Sequence, residues 1–267
     1  MKNVFFLIVF IFLVACQEDS KVLEIGNYRA ILKVNDTIVL PFNFEMLPNS
    51  TINIYNADEI IKISEIEYLK DSVMIKMPVF EGFIIAKIDD NNNLKGYFKK
   101  EELNRVVPFE AEHNNTDRFI LNNENPSYLN VTGNWETVFS PDSEENKYIA
   151  KGIFKQVGKK VTGTFRTTTG DYRFLDGVLD GNILKLSAFD GSHAFLFTAK
   201  VTDSTIKGVF YSGNHWQEPF LAKRNDNFEL PDANELTYLK DGFDSIDFSF
   251  PDESGNMVSL NDKRFKD

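Results

Sequence analysis

Tyr172 to Ser212 reads YRFLDGVLDGNILKLSAFDGSHAFLFTAKVTDSTIKGVFYS, and its periodicity decides the fold. Phe195, Phe197, Ala199 and Val201 fall on one face of an extended segment, and Ala194, Leu196, Thr198 and Lys200 on the other. That period of two belongs to β-strands, where successive side chains point to opposite faces. Asp180-Gly181 and Asp190-Gly191 supply tight turns, so strands at 172–179, 183–189, 193–201 and 205–212 follow one another as hairpins. Outward from this stretch the same rhythm gives strands at Tyr28 to Val34, Thr37 to Phe44, Thr51 to Tyr55, Glu59 to Ile66, Ser72 to Met77, Gly82 to Ile88 and Leu94 to Phe98. Beyond these come Gly133 to Phe139, Lys147 to Phe154 and Val161 to Thr167. No long amphipathic helix precedes residue 230. The expected fold is all-β, an antiparallel meander closed as a barrel or stacked as a sandwich.

The meander reads as duplicated. Gly26-Asn27-Tyr28 answers Gly133-Asn134-Trp135, and Leu94-Lys95-Gly96-Tyr97-Phe98 answers Ile206-Lys207-Gly208-Val209-Phe210 at a similar interval. This gives a first β-unit at 26–105, an Asn- and Glu-rich connector at 106–129 that includes a solvated His113, and a second β-unit at 130–225. Gly-x-Trp followed by hairpins resembles the start of lipocalin-type barrels, and that resemblance implies an aromatic plug at the closed end.

At the N-terminus, Lys2 precedes an apolar run from Val4 to Val14 that ends in Leu13-Val14-Ala15-Cys16. The run is too short to span a bilayer as a helix and fits the apolar core of a secretory signal. It resembles the signal of bacterial lipoprotein precursors, which implies removal of residues 1–15, lipidation of Cys16 and a tether at 16–25. The implied partner is a membrane held through several acyl chains, enough for stable anchoring. Gln17, Glu18 and Asp19 after the cysteine resemble outer-membrane sorting and Bacteroidetes surface-export patterns. The expected address is therefore the bacterial cell envelope.

A formal net charge of −11 argues against nucleic acid as a partner, because such binding rests on Lys and Arg at phosphates. Cys16 is the single cysteine, so no thiol remains for a disulfide, a thiolate metal site or a nucleophile. Phosphate-cradling glycine motifs and a serine elbow are absent, and no cofactor is expected. Asp89-Asp90-Asn91-Asn92-Asn93 has calcium-loop composition without the spaced ligands or closing Glu, and reads as a hairpin turn.

The C-terminal stretch FSFPDESGNMVSLNDKRFKD, Phe248 to Asp267, carries an apolar strand, turn residues around Gly255 and a returning strand, Met257 to Leu260. After a linker at 226–245, residues 246–267 are expected to open with this hairpin. The pattern aromatic-x-aromatic-Pro-Asp-x-x-Gly-x-x-Val-Ser-Leu resembles the first hairpin of TlpA/ResA-like thioredoxin-fold proteins. Residues 162–224, with TGTFRTTTGDYRFLDGVLDGNILKLSAFDGSHAFLF and GVFYSGNHW, resemble the β-rich region preceding that module in Bacteroidetes envelope proteins. The resemblance implies a thiol–disulfide oxidoreductase whose Cys-x-x-Cys would meet a thiol or disulfide client. No such pair is present, so no catalytic residue is assigned and the chain is expected to be redox-inert. The other reading is a lipid-anchored barrel that binds an apolar or carboxylated small molecule without catalysis.

The candidate site residues are Asp171, Arg173, Asp190, His193, His215 and Trp216, beside Tyr172, all near strand ends on one rim. Two histidines with an aspartate have ligand chemistry for a metal, and Arg173 can clamp a carboxylate. The plainer reading has Asp171 and Asp190 capping turn backbones, Arg173 in an ion pair and both histidines half-buried. No metal site is assigned.

Overall fold

Short apolar–polar alternations cut by Asp, Asn and Gly turns let each segment satisfy its backbone only against its sequence neighbours, which produces hairpin after hairpin. The computed structural model describes residues 20–79, 81–122 and 127–265. The expected signal peptide and the lipidation site Cys16 lie outside these residues. The chain forms two units, one to Phe228 and one from Glu229.

The first unit begins with β1 (Gly26–Lys33), β2 (Val39–Met46), β3 (Ile52–Asn56), β4 (Glu59–Ile63), β5 (Ile66–Leu69), β6 (Ser72–Lys76), β7 (Gly82–Ile88), β8 (Leu94–Lys100) and β9 (Arg105–His113). These form one antiparallel sheet in the order β4-β3-β2-β1-β9-β8-β7-β6-β5. Alternating strand directions make β4 and β5 run the same way, so they are two halves of one strand broken at Ser64-Glu65. Its first half pairs with β3 and its second with β6, leaving the sheet a nearly closed barrel. The remaining strands are β10 (Gly133–Phe139), β11 (Tyr148–Val157), β12 (Lys160–Thr167), β13 (Leu175–Asp180), β14 (Ile183–Phe189), β15 (Ala194–Val201), β16 (Thr205–Ser212) and β17 (Trp216–Arg224). They close on themselves, β10 pairing with β17, as a barrel.

Three strands correct the sequence reading, the first being β5, which extends to Leu69 where one strand ending at Ile66 is expected. Arg105–His113 is a full strand between β1 and β8, so only the remainder of 106–129 connects the barrels. Trp216–Arg224 is the strand that closes the second barrel. These last two carry Pro108 and Pro219, which weaken a strand pattern. His113 is not solvated: its side chain is 6% exposed and packs at a tilt on Tyr28, 4.7 Å between centroids.

The duplication is visible in the register. Tyr28 sits opposite His113, and Trp135 opposite Arg224. Each aromatic donates its polar hydrogen four residues back, Tyr28 Oη to the Glu24 carbonyl at 3.0 Å and Trp135 Nε1 to the Val131 carbonyl at 2.9 Å. Asn114 N donates to the Asn27 carbonyl at 2.8 Å, and Asn225 N to the Asn134 carbonyl at 3.1 Å. Gly96 faces Ala86 and Gly208 faces Ala199, and a Cβ at either would fall 1.9 Å from Ile85 O or 2.3 Å from Thr198 O. The matched glycines permit the same close cross-strand approach.

Each barrel therefore has a closed end at its plugging aromatic and a mouth at the other. The mouth of the first is formed by the β1–β2, β3–β4, β6–β7 and β8–β9 turns. Into it projects the β14–β15 turn of the second: Phe189 packs on Phe42 at 4.3 Å and edge-on to Phe98 at 5.1 Å. The Asn56 amide pairs both ways with the Phe189 backbone, at 2.9 and 3.1 Å. Arg118, 9% exposed between the barrels, donates to Ser187 Oγ at 2.9 Å, the Tyr55 carbonyl at 2.8 Å and the Ser187 carbonyl at 3.0 Å.

The second unit carries a 3₁₀ turn, Ala233–Glu235, and a hairpin of β18 (Ser249–Pro251) and β19 (Met257–Ser259), where the sequence places one. Asp252 accepts from Ser254 N at 2.9 Å and Asn256 N at 2.8 Å across its turn.

Candidate functional site

The β12–β13, β14–β15 and β16–β17 turns all lie at the mouth of the second barrel, so the six candidate residues do share one end. They divide into two groups. In the first, Asp171 Oδ1 accepts from Arg173 N at 2.9 Å, holding Arg173 in the left-handed backbone region at φ 61°. Arg173 then reaches across the junction to Glu59 and sets Nε 3.0 Å from Asp190 Oδ2, an ion pair at an angle unsuited to a hydrogen bond. Asp190 also accepts from Ser192 N at 2.8 Å, His193 N at 2.6 Å and His193 Nδ1 at 2.9 Å. Burial pushes the Asp190 carboxyl up, but the His193 ring and the His193 and Ser192 amides outweigh it and hold the group below its ordinary value. This group is a clamp on the turn that plugs the first barrel.

In the second group, His215 and Trp216 line a cleft of about 270 Å³ with Val34, Asn35, Tyr211, Gly213, Asn214 and Gln217. The cleft lies where the β1–β2 turn meets the β16–β17 turn. Partial burial, then the charges of Arg105 and Lys100, lower the His215 pKa. Trp216 is 48% exposed. His215 shares no hydrogen bond with Asp190 or His193, and among the described residues no group of three His, Cys, Asp or Glu side chains is arranged to hold a metal.

A third cluster in the same mouth escaped the sequence reading. Glu218, 6% exposed, accepts from Ser140 Oγ at 2.6 Å and Tyr148 Oη at 2.8 Å, and the Tyr148 and Tyr172 hydroxyls are in direct contact. Burial first, then Tyr172 and Glu218, raises the Tyr148 pKa, and burial pushes Tyr172 up to about 12. Alternation offered the signal, since Glu218 shares its inward phase with Phe220 and Ala222. Below the cluster the interior is filled by rings: Phe139 stacks on Tyr148 at 4.9 Å, Phe165 lies 4.9 Å from Phe197, and Phe197 4.7 Å from Phe210. Eight-stranded barrels are just wide enough for their own side chains, and this interior is used that way.

None of these groups is arranged as a nucleophile with its base. Ser192 Oγ accepts from Lys100 Nζ at 3.0 Å, a contact that joins the two mouths. The site's chemistry is clamping and closure, with one open cleft at Trp216.

No protein-family model, curated protein or solved structure matches this chain. Among the described residues no helix is long and apolar enough to cross a membrane.

Proposed function

We propose that this chain is the β-rich N-terminal region of an envelope thiol–disulfide oxidoreductase of TlpA/ResA-like type, anchored through lipidated Cys16, and that its barrels position the redox module without catalysis. The observation that carries the reading is the 248–260 hairpin. It forms at the predicted place, with Phe248 and Phe250 ring to ring at 5.5 Å, yet Phe250 and Met257 remain more than 60% exposed. An isolated two-stranded hairpin is marginal, so this apolar face suits the opening element of a larger domain. Arg118, Asn56, Arg173 and Asp190 are engaged in holding the barrels together, which suits a scaffold. The test is the reading frame after the Asp267 codon together with disulfide exchange by its product. A frame continuing into Trp-Cys-x-x-Cys, and exchange activity lost on replacing those cysteines, is the expected result. A stop codon at that point overturns the reading.

The Trp216 cleft favours a second reading, an anchored small-molecule-binding module. Its test is a ligand-induced change in tryptophan fluorescence that disappears in Trp216→Phe while Trp135 remains.

A further inference from the structure

The chain enters the two-barrel unit at the closed end of the first barrel. There Lys21 N donates to the Lys70 carbonyl at 2.7 Å, Lys21 Nζ meets Asp90 at 2.7 Å, and Glu24 N donates to Asn92 Oδ1 at 2.9 Å. Lys70 and Asp90 belong to the β5–β6 and β7–β8 turns, which lie at that end. The chain leaves at the closed end of the second barrel. Arg224 N donates to the Ser204 carbonyl at 3.0 Å, Asn134 N to Asp226 Oδ1 at 3.0 Å, and Phe228 N to the Asn225 carbonyl at 3.1 Å.

The connector between the barrels records how these two ends are disposed. In chain order, Asn114 is bonded at the first closed end, and the Asp117 carbonyl accepts from Arg29 Nε at 2.8 Å. Arg118 lies in the junction, the Ile120 carbonyl accepts from Lys185 Nζ at 3.3 Å, and Asn122 N donates to Asp180 Oδ2 at 2.9 Å. Asp180 ends β13 at the second closed end. The segment thus runs along both barrels in one direction, from one pole past the mouths to the other.

From this path and the mouth-to-mouth junction, we infer that the two-barrel unit is a strut that holds its incoming and outgoing chain at opposite poles. Strands of about eight residues, rising roughly 3.3 Å each and tilted about 40°, make each barrel on the order of 20 Å tall, and the connector from Asn114 to Asn122, at no more than about 3.6 Å per residue, sets the poles about 30 Å apart along its side. The junction is built to resist bending. Phe189 is seated in the first mouth, Asn56 ties its backbone, Arg173 bridges Glu59 and Asp190, and a Cβ on Gly191 would fall 2.6 Å from Met77 Cγ. Joined to anchoring at Cys16, the strut sets its own exit at the pole opposite the tether; that clause rests on the proposed function, and the geometry does not.

The experiment is pulsed electron paramagnetic resonance on the full chain carrying Cys16→Ser, with nitroxides at Asn91→Cys and Asp203→Cys, one in an exposed turn at each pole. One narrow distribution centred between about 3 and 4 nm is expected. A distance no greater than one barrel height, or a broad distribution, overturns the strut. Phe189→Ala with Arg118→Met is expected to broaden the distribution while circular dichroism keeps its β signal, and an unchanged width overturns the assignment of stiffness to the junction. Where that pair fails to fold, Asn56→Ala is measured by the same criterion. Neither result depends on redox activity or on the downstream reading frame, so failure of the strut and failure of the oxidoreductase reading are separable.

Discussion

Arg224 lies over Trp135, its guanidinium carbon 4.3 Å from the ring centroid, in the seat that His113 takes over Tyr28 in the other barrel. Arg224 also donates to the Thr132 carbonyl at 2.8 Å and to the Asn130 carbonyl, so it pins the incoming chain as well as the ring. Cation–π contact and charge-assisted hydrogen bonds at a partly exposed site make Arg224→Ala destabilising by about 1–2 kcal/mol, with Arg224→Lys recovering part. Urea denaturation checks this; an unchanged midpoint for Arg224→Ala would contradict it.

Gly96→Ala and Gly208→Ala should be damaging in parallel. At either position the new methyl meets a backbone carbonyl oxygen, which cannot swing aside as a side chain can. Each substitution is expected to cost about 2 kcal/mol or more, against roughly 0.5–1 kcal/mol gained from lower chain entropy. Thermal unfolding of the two variants, compared with Gly158→Ala in an open turn at φ 62°, separates cross-strand crowding from turn strain.

Asp190 sets an acid limit. Its folded pKa lies below the ordinary 3.8, so the stability it supplies is complete above that value and is lost as pH falls through the lower folded value. Asp190→Asn should lower stability near neutrality and flatten its decline below about pH 4. Denaturation midpoints over that range measure it. A variant whose curve falls as steeply as the wild type would assign the acid sensitivity elsewhere.

Tyr148 and Tyr172 set an alkaline limit with the opposite sign. Burial raises both pKa values in the fold, Tyr172 to about 12, so the unfolded chain releases these protons first and stability declines as pH rises above 10. In an absorbance titration at 295 nm the two phenols should ionise only as the second barrel opens. Tyr172→Phe is expected to remove one of these late protons. Reversible ionisation of all tyrosines near pH 10 without unfolding would contradict the buried cluster.

What could be read from sequence was local. Asp180-Gly181 and the hairpin at Asp252 form their turns from adjacent residues, and Asp190 was legible as a turn-capping carboxylate because its partners are Ser192 and His193. The matching Gly-Asn-aromatic starts were legible as a repeat, since each plug is fixed by residues close to it in the chain. Two strands with a proline near their middle were not legible, at Pro108 and Pro219, although β2 was read through Pro41. Nor was the junction. Arg118 reaches Ser187 across 69 residues, and Asn56 reaches Phe189 across 133, and no period or spacing encodes such meetings. Glu218 was hidden for another reason, because an interior carboxylate becomes sensible only once Ser140 and Tyr148 are known to stand beside it.

The break in the strand Glu59 to Leu69 gives the two barrels different kinds of closure. The second is ringed by hydrogen bonds throughout, so no single peptide bond holds it shut. The first is a ribbon whose edges, β4 and β5, are joined by the exposed residues Ser64 and Glu65 alone. A protease cutting between those two residues would sever no ladder and would leave β4 and β5 flanking a seam held by the core, where Ile54 and Ile63 pack in one cluster with Val73 and Ile75. The hydrogen-bonded ring of the first barrel thus has one seam, spanned by its packed core, and that of the second has none.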